Sequence, residues 1–394
     1  MPHRTFSNRT NWKLERNLLT QALAEAAASG THVLDLTVSN PTRAGLNYEE
    51  RRILQALAAP QVMDYDPQPK GLFGARAAVA SYYELQHGIR AFDPERLILT
   101  TSTSEGYSFI FRLLCNPGDE LLVPKPSYPL FEFLADLQDV ILAPYPLIYD
   151  HGWQIDFPSL SQAVTNRTRG VVVVHPNNPT GSFVQEDEWK SLNRFCEEHQ
   201  LAIIADEVFL DYGHGKSSHR SFANNEDVLT FTLSGVSKIS ALPQMKVAWI
   251  VTSGPEQQVE AALLRLEMIA DTFLSMSAPV QWALPEMLAQ RVSIQKQLLE
   301  RIFANLAELD RQLAGHRACE RLTVEGGWYA VLRVPVTQTD EELTVDLLRQ
   351  KSVLLHPGHF YDFPGDGYLV VSLITPRTEF SEGVGRLLES LSVR

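Results

Sequence analysis

Residues 171–207, VVVVHPNNPTGSFVQEDEWKSLNRFCEEHQLAIIADE, place a helical pattern between two short apolar runs. The runs Val171–His175 and Ala202–Asp206 lack the polar alternation of a half-exposed strand, which is typical of strands buried on both faces of a parallel sheet. The segment between them, Gln185–His199, has the periodicity of a helix. A strand, a crossover helix and a second strand form a βαβ unit, so this stretch predicts two neighbouring parallel strands in an α/β fold.

The same alternation of short apolar runs and helical patterns continues on both sides of this stretch. It predicts an α/β protein whose large domain contains a mostly parallel, seven-stranded sheet covered by helices. The intervening helices are expected to include Ser104–Cys115 and Tyr128–Leu137. The other five expected strands are Leu97–Thr101, Glu120–Val123, Val140–Ala143, Thr230–Ser234 and Val247–Thr252.

The pattern changes after about residue 275, where a long amphipathic helix is expected. Its apolar residues recur every three or four positions from Ile294 to Leu313. A smaller α+β unit follows, and the first helix, Trp12–Ala28, and the extended Val33–Val38 are expected to join it. The sequence therefore predicts a small domain formed by residues 1–45 with 276–394, and a large domain formed by residues 46–275. The other elements expected in the small domain are Trp328–Val334, Asp340–Gln350, Val353–His356 and Tyr368–Leu373.

The composition argues against several classes of protein. The 394 residues include 34 Lys and Arg against 47 Asp and Glu, and the net charge of −13 disfavours binding to nucleic acid or anionic membranes. No run of about 18 apolar residues is present, so no transmembrane helix is expected. The N-terminal segment lacks the apolar region of a secretory signal.

The cysteines, Cys115, Cys196 and Cys319, are odd in number and far apart, and they follow no zinc-ligand spacing. Their number and separation predict no disulfide scaffold and a cytoplasmic location, and their spacing predicts no metal site.

Four polar segments follow the expected strands at their carboxyl ends. They contain Lys238 in SGVSK, Asp206 in IIADE, Asn178 in HPNNPTG, and the hydroxyl-rich run Ser102–Ser104. Each has an ordinary interpretation when taken alone, because a lysine reaches solvent, an aspartate or serine caps a helix, and Asn-Pro forms a turn. Ligands of an open α/β sheet bind where the strands end, so the four segments together predict one binding site. The free N–H groups at the start of the helix expected from Ser104 would suit a phosphate.

These segments and their spacing resemble those of the class I and II aminotransferases, members of the aspartate aminotransferase superfamily with fold type I that depend on pyridoxal 5′-phosphate (PLP). The resemblance implies that Lys238 forms the Schiff base with the cofactor and then acts as the general base. It further implies that Asp206 faces the pyridine nitrogen, that Asn178 donates to the ring hydroxyl, and that Tyr128 stacks on the ring. Lys238, Asp206 and Tyr128 are thus the expected catalytic residues.

The resemblance also implies a set of residues around the cofactor phosphate. Lys246 would supply a cation there, although without the bidentate geometry of an arginine. Tyr65 is similar to a tyrosine that reaches the phosphate from the neighbouring subunit, which implies a homodimer with shared active sites. A rigid turn between prolines is the alternative interpretation of Tyr65. The remaining phosphate contacts are Ser102, Thr103 and Ser104, with one of Ser234 and Ser237.

Two positions depart from the family pattern. Phe209 stands where many members have a tyrosine that donates to the ring hydroxyl, and loss of that donor is expected to raise the pKa of the Schiff base; packing alone also explains Phe209. Val370 stands where the last strand usually carries an arginine that binds the substrate carboxylate. The expected carboxylate contacts are therefore Asn40 or Arg377, with Lys70 and Arg43 as alternatives, unless the substrate lacks a free α-carboxylate. Trp328 is expected to line the substrate side of the site, in a pocket that accepts a bulky apolar or aromatic side chain.

The function that the resemblance implies is amino transfer by a cytoplasmic homodimer, from an amino acid or related amine to a 2-oxo acid. Because Val370 leaves the carboxylate contact open, a PLP-dependent lyase, decarboxylase or cyclase on the same scaffold is the second hypothesis. The third is a ligand-sensing module without catalysis, which ranks last because no DNA-binding extension is expected and the charge disfavours DNA.

Overall fold

The computed structural model describes residues 6–129, 131–215 and 219–392. Within these ranges the α-helices are α1 Leu18–Ala28, α2 Glu50–Leu57, α3 Phe73–His87, α4 Thr103–Leu114, α5 Phe131–Asp136, α6 Phe157–Gln162, α7 Glu186–His199, α8 Val236–Ile239, α9 Glu256–Phe273, α10 Ala278–Ala289, α11 Arg291–Leu313, α12 Asp340–Lys351 and α13 Arg377–Ser392. The strands are β1 Leu34–Asp35, β2 Leu97–Thr100, β3 Glu120–Lys125, β4 Ile141–Tyr149, β5 Trp153–Ile155, β6 Thr168–Val174, β7 Ala202–Asp206, β8 Thr230–Gly235, β9 Ala248–Ser253, β10 Glu320–Arg321, β11 Tyr329–Arg333, β12 Val353–Leu354, β13 His356–Pro357 and β14 Tyr368–Ser372. Short 3-10 helices span Asn8–Thr10, Pro41–Arg43, Pro60–Met63, Pro94–Arg96, Phe222–Asn224, Pro243–Met245 and Gly358–Tyr361.

The large sheet has the strand order β2-β9-β8-β7-β6-β3-β4-β5. The five consecutive strands β8, β7, β6, β3 and β4 are parallel, while β9 runs antiparallel between β2 and β8. The α/β fold with a mostly parallel sheet is therefore confirmed, and all seven expected strands are present.

Both faces of this sheet are covered by apolar side chains. Val172 and Ile204 belong to a buried cluster on one face, whereas their neighbours Val171 and Ile203 belong to a separate cluster on the other. Successive residues of a strand point to opposite faces, so a strand covered on both sides needs apolar residues at every position. This is why the runs at 171–174 and 202–205 show no alternation.

An eighth strand, β5, extends the sheet beyond the seven strands expected from the sequence. β4 is longer than the predicted Val140–Ala143 and turns back through Asp150–Gly152, so that β5 pairs with it antiparallel at the sheet edge. Tyr149 lies opposite Trp153 in this pair. A strand of three residues has too short a pattern to be distinguished from a loop by periodicity.

Residues from both ends of the chain meet in the smaller sheets. β10, β11, β14 and β13 form an antiparallel sheet in that order, and β1 and β12 form a separate parallel pair. Leu34 of β1 lies opposite Val353 of β12. Beside this pair α1 packs on α12, with Leu19 and Leu348 in one buried cluster.

α10 lies beyond the domain boundary expected near residue 275, yet it packs against α2 and α3. Its residues Leu284 and Met287 share a buried cluster with Ile53 of α2 and Val79 of α3. In the structure, α10 thus has a common core with helices that precede the large sheet. The division into residues 1–45 with 276–394 and residues 46–275 stays a prediction.

The first helix begins later than the sequence pattern indicated. α1 begins at Leu18 rather than at Trp12, because the Asn17 side chain accepts a hydrogen bond from the Thr20 amide and caps the helix there. Trp12 instead packs edge to face on Phe133, with ring centroids 5.3 Å apart. The N-terminal segment therefore reaches α5 of the large sheet before the chain enters α1.

None of the helices in the three described ranges is both long enough and apolar enough to cross a membrane. In the same part of the chain, no three or more His, Cys, Asp or Glu side chains come together in a way that could hold a metal ion. The three cysteines are free thiols, and two of them, Cys196 and Cys319, are buried.

Candidate active site

Three neighbouring strands bring the predicted site residues to one edge of the large sheet. β6, β7 and β8 are parallel, and their carboxyl ends lead to Asn178, Asp206 and Lys238 respectively. β2 runs in the same direction as β8, since both are antiparallel to β9, so the start of α4 lies at this edge as well. The four segments singled out in the sequence therefore lie along one line of strand ends.

Lys238 lies on the single-turn helix α8, directly after β8. Its Nζ is 4.8 Å from the ring centroid of Trp328 and 5.4 Å from that of Phe209, and it makes no hydrogen bond within the described ranges. Burial lowers the pKa of Lys238 to about 8, and the negative charge of Asp206 opposes that shift. Because this pKa lies close to physiological pH, part of the Lys238 amine is neutral there. The neutral amine is the form that acts as a base and as a nucleophile.

Asp206 ends β7 and is held by two hydrogen bonds. The Tyr107 hydroxyl donates to its Oδ2 at 3.0 Å, and the Val208 amide donates to its Oδ1 at 3.2 Å. Burial raises the pKa of Asp206 to about 6, although both hydrogen bonds and the charge of Lys238 favour the carboxylate. At neutral pH Asp206 is mainly ionised, so it can pair with a cationic N–H group of a ligand.

Asn177 ties the loop after β6 to the segment that precedes Tyr128. Its Nδ2 donates to the Pro126 carbonyl oxygen at 3.0 Å, and the Ser127 hydroxyl donates to its Oδ1 at 3.2 Å. The next residue, Asn178, is buried, and its Oδ1 has no hydrogen-bond partner among the residues that the structure describes. Buried amides are normally paired, so an unpaired one at a strand end indicates a ligand contact.

Tyr128 lies beside this loop and is 43% exposed, which leaves part of its ring open at the site. Partial burial raises the pKa of Tyr128, and the negative charge of Asp206 adds to the effect. Its phenol therefore stays neutral at physiological pH. An uncharged aromatic ring with an open face can stack on a planar ligand.

The start of α4 combines a capped helix with a run of hydroxyl groups. Ser102 is the N-cap, and its Oγ accepts a hydrogen bond from the Glu105 amide at 3.2 Å. The capping interpretation is therefore correct for this serine. Thr103 and Ser104 occupy the first turn, where helical N–H groups have no partner inside the helix and can bind an anion.

The other predicted phosphate contacts differ in how free their polar atoms are. Ser234 is buried, and its hydroxyl donates to the Glu207 carbonyl oxygen at 3.4 Å. Ser237, one residue before Lys238, is partly buried and its hydroxyl has no partner in the described part of the chain. Lys246 is exposed and forms no ion pair there. Ser237 and Lys246 thus have free groups for an anion, whereas the Ser234 hydroxyl already has a partner.

Tyr65 is highly exposed, with 84% of its surface accessible. It borders a surface cavity whose lining includes Ser275, Gln281 and the half-exposed Trp282. Aromatic side chains exposed together at a cavity are typical of a surface that binds another molecule.

The predicted substrate residues Trp328 and Asn40 lie in contrasting surroundings. Trp328 is fully buried beside Lys238, and its Nε1 has no hydrogen-bond partner within the described ranges. Asn40 is exposed, and its Oδ1 accepts from the amide and the hydroxyl of Thr42 at 3.1 and 2.7 Å. These bonds fix the amide plane and leave the Asn40 NH₂ group free to donate.

Val370 and Arg377 are the positions at which a cation for the substrate carboxylate would be expected. Val370 is buried in β14 between Val331 and His356, and it offers no charge. Arg377 is exposed at the start of α13 and donates to the Glu300 carbonyl oxygen at 3.3 Å. The cavity that Arg377 lines includes none of the side chains that contact Lys238. Within the described ranges Arg377 and Lys238 share no hydrogen bond or ring contact, and Arg377 as a substrate contact stays a prediction.

Two residues that support the site were missed by the sequence reasoning. Tyr107 donates to Asp206, and the Tyr212 hydroxyl donates to the Lys238 carbonyl oxygen at 2.6 Å. Both are fully enclosed tyrosines. A buried tyrosine needs a partner for its hydroxyl, so the short distance in sequence from Ser104 to Tyr107 and from Asp206 to Tyr212 was the signal available.

Comparisons with known proteins find relatives over most of the chain. The family model described as "Aminotransferase class I and II" matches residues 31–378. The alanine aminotransferase of Mycobacterium tuberculosis is 28% identical over 380 residues, which cover 93% of this chain and 87% of that protein. The glutamate-pyruvate aminotransferase AlaA of Escherichia coli is 27% identical over 359 residues, covering 89% of this chain and 88% of that protein.

Solved structures share the fold over nearly the whole chain. The alanine aminotransferase from Pyrococcus furiosus superposes with a TM-score of 0.90 at 22% identity, covering 99% of this chain and all of that one. A single mutant of the Thermus thermophilus aspartate aminotransferase gives a TM-score of 0.85 at 21% identity, covering 98% of this chain and all of that one. At such identities the likeness concerns the fold alone.

Proposed function

Because the chain belongs to the class I and II aminotransferases and transfers amino groups with PLP, we propose that alanine and glutamate are its amino donors. The matching acceptors are pyruvate and 2-oxoglutarate, the 2-oxo acids that these donors become. The observation that carries this proposal is that relatives named for alanine or for glutamate and pyruvate align over about nine tenths of the chain.

The residues at the strand ends fit PLP. The buried amide oxygen Oδ1 of Asn178 and the amine of Lys238 are polar groups that lack a protein partner in the described ranges. In the proposed roles, Lys238 Nζ holds the cofactor covalently, Asp206 faces its ring nitrogen, Asn178 its ring hydroxyl and Tyr128 its ring face. When bound, PLP supplies an electron-accepting ring that stabilises the negative charge left when the substrate Cα–H bond breaks.

The chain's own contribution is to move and hold protons. Once the substrate amine has replaced it on the cofactor, Lys238, whose pKa is lowered to about 8, would take the proton from the substrate Cα and return it to the C4′ carbon of the cofactor. Asp206, held by Tyr107 and the Val208 amide, keeps a proton on the nitrogen that it faces. The rings of Phe209 and Trp328 exclude water from the amine, which strengthens the attraction between Lys238 and Asp206.

The phosphate is proposed to lie at the start of α4. The free N–H groups of the first turn, with the hydroxyls of Ser102, Thr103 and Ser104, provide donors and the positive end of the helix dipole. Ser237 and Lys246 add a hydroxyl and a cation, and Ser234 stays an alternative to Ser237. This local positive field offsets the net charge of −13.

Val370 stands at the position in β14 where an arginine would bind the substrate carboxylate, so another group must bind it. The free NH₂ group of Asn40 supports it as the proposed carboxylate donor, and Trp328 as the wall of the pocket beside Lys238. Arg377 remains a prediction as a third contact. An amide donor gives a weaker contact than a bidentate arginine, so a high KM for amino acids is expected.

A panel of amino donors tests the proposed substrates. Alanine, glutamate, aspartate and tyrosine are each supplied to the purified holoenzyme with pyruvate or 2-oxoglutarate, and the amino acid formed is quantified by chromatography. The alanine–2-oxoglutarate and glutamate–pyruvate pairs are expected to give the highest kcat/KM. A clear preference for another donor would refute the proposal, and release of ammonia or carbon dioxide without an acceptor would favour a lyase or decarboxylase.

We further propose a homodimer in which Tyr65 reaches the phosphate site at the start of α4 in the partner subunit. Its high exposure and the cavity that it shares with Trp282 support this assignment. A cytoplasmic location is also proposed, on the basis of the three free cysteines, since disulfides are rare in reducing compartments. Cell fractionation tests the location, and sedimentation tests the dimer.

Substitution Tyr65→Phe is expected to weaken PLP binding by about 10- to 100-fold, because a hydrogen bond to a charged group contributes about 1.5–3 kcal/mol. Tyr149→Phe is the matched control, since the Tyr149 hydroxyl contacts Thr323 and has no proposed role at the site. PLP affinity is measured by titration of the cofactor absorbance. Equal affinities of the two variants would remove Tyr65 from the cofactor site.

A further inference from the structure

Two side chains from distant parts of the sequence bind the carbonyl groups of the turn that carries Lys238. The Tyr212 hydroxyl donates to the Lys238 carbonyl oxygen at 2.6 Å, and Nε2 of Gln295, on α11, donates to the Ile239 carbonyl oxygen at 3.0 Å. Both donors are buried. They hold two successive carbonyls of the lysine turn from outside its own helix.

Asp211 joins these two donors into one unit. It precedes Tyr212 in the chain, and its Oδ2 accepts a second hydrogen bond from Gln295 Nε2 at 2.6 Å. Its Oδ1 accepts from the Tyr82 hydroxyl at 3.0 Å and lies 3.2 Å from His87 Nε2. Because the carboxylate is fully buried and bound from α3, it fixes the amide of Gln295 in turn.

Among the residues that the structure describes, none makes a hydrogen bond or ion pair with the amine of Lys238. Its Nζ lies over the rings of Phe209 and Trp328, which limit its space but do not set its direction. The direction therefore depends on the backbone from which the side chain extends. Proton transfer requires donor and acceptor within about 2.6–3.2 Å, and a displacement of about 1 Å can lower a rate on the order of 10²-fold.

We propose that Tyr212 and Gln295 are positioning residues for Lys238. By anchoring the carbonyls of Lys238 and Ile239, they hold the amine where it takes and returns the substrate proton. This inference rests on the proposed role of Lys238. Because the Tyr212 hydroxyl and the Gln295 amide already donate to backbone carbonyls, their loss is expected to lower kcat and to leave KM nearly unchanged.

Tyr48 distinguishes positioning from a purely structural role. Carbonyl groups at a buried helix end need donors for stability alone, and the Tyr48 hydroxyl donates to the Ala241 carbonyl oxygen at 2.8 Å. Ala241 lies three residues beyond Lys238, outside α8. Tyr48→Phe and Tyr212→Phe therefore remove the same atom from comparable bonds, but only one of these bonds holds the lysine itself.

The test compares Tyr212→Phe, Gln295→Met and Tyr48→Phe as holoenzymes. Steady-state kinetics are measured with the best donor of the panel, and the absorbance of the bound cofactor is titrated with pH. Tyr212→Phe is expected to lower kcat about 10-fold with KM within about 2-fold, and to shift the midpoint of the absorbance titration. Gln295→Met changes the same quantities in the same direction, and Tyr48→Phe changes neither.

The inference is wrong if Tyr212→Phe keeps the wild-type kcat and midpoint, or if Tyr48→Phe alters both equally. Should Tyr212→Phe fail to fold, Gln295→Met decides with the same readouts. Borohydride reduction and peptide mapping of the wild type test the premise separately. A cofactor fixed to another residue would refute the proposed function, whereas a cofactor on Lys238 with unchanged kinetics in the variants would refute only the positioning role.

Discussion

Lys238→Ala is expected to lower kcat/KM for amino transfer at least about 10⁴-fold, since one side chain serves as both the nucleophile and the general base. The described surroundings offer no substitute. Phe209 and Trp328, the rings nearest to its Nζ, carry no basic group, and Asp206 is already engaged by Tyr107 and the Val208 amide. The variant is expected to fold, because burial disfavours the charged amine that it removes.

The matched control for this variant is Lys190→Ala. Lys190 is an exposed lysine on α7 whose ion pairs with Glu186 and Asp187 lie on the surface. Both proteins are assayed with the same donor and acceptor, and their folding is compared by thermal unfolding. The control should match the wild type in every measurement. A well-folded Lys238→Ala enzyme within about tenfold of wild-type kcat/KM would remove Lys238 from the chemistry.

Asp206→Asn is expected to have the second largest effect, a loss of kcat/KM on the order of 10³-fold. Asparagine has nearly the same shape, and its carbonyl oxygen can still accept from Tyr107 or the Val208 amide. The substitution therefore removes the charge and preserves the packing. Without the carboxylate the ligand nitrogen is not held protonated, and the ring accepts electrons poorly.

Asp206→Asn is expected to lose activity but to gain stability against unfolding. Burial raises the pKa of Asp206 from 3.8 to about 6, so the folded protein binds this proton more tightly than the unfolded chain does. Ionising Asp206 therefore lowers the free energy of unfolding as the pH rises through that window, by up to about 1.4 kcal/mol per pH unit. The asparagine variant lacks this loss.

Denaturant unfolding of the cofactor-free proteins at several pH values measures this difference. Relative to the wild type, the variant should gain stability between pH 4 and 6, the window set by the two pKa values. Asp187→Asn, at a fully exposed position, is the control and should follow the wild type in activity and in pH dependence. A variant that is inactive and also less stable at neutral pH would show that Asp206 mainly supports the fold.

The fold could be predicted because its determinants are local. Strands such as Val171–Val174 carry apolar residues at every position, and that pattern records burial on both faces. The order of strand ends then placed Asn178, Asp206 and Lys238 on one edge. Parallel neighbours fix this geometry regardless of how the side chains pack.

What the sequence did not indicate depends on contacts between distant segments. The hydroxyls of Tyr107 and Tyr212 reach Asp206 and the Lys238 carbonyl only because the fold brings these segments together. Arg377 is a candidate because of its position along the chain, seven residues after Val370, and periodicity alone does not show that α13 begins at this residue. Such partners are set by tertiary packing, which periodicity does not encode.

The pairing of β1 with β12 imposes an order on events at the ribosome. All strands of the large sheet lie between residues 97 and 253, so they are translated before β12 exists. β1 must wait unpaired while that sheet assembles, and its two-residue length limits the edge that it exposes to wrong partners. The entropic cost of closing the loop between β1 and β12 grows only slowly with its length. Their long separation in sequence therefore adds little to the free energy of pairing them. A nascent chain halted before residue 353 would thus carry an assembled large sheet and a β1 strand without its partner.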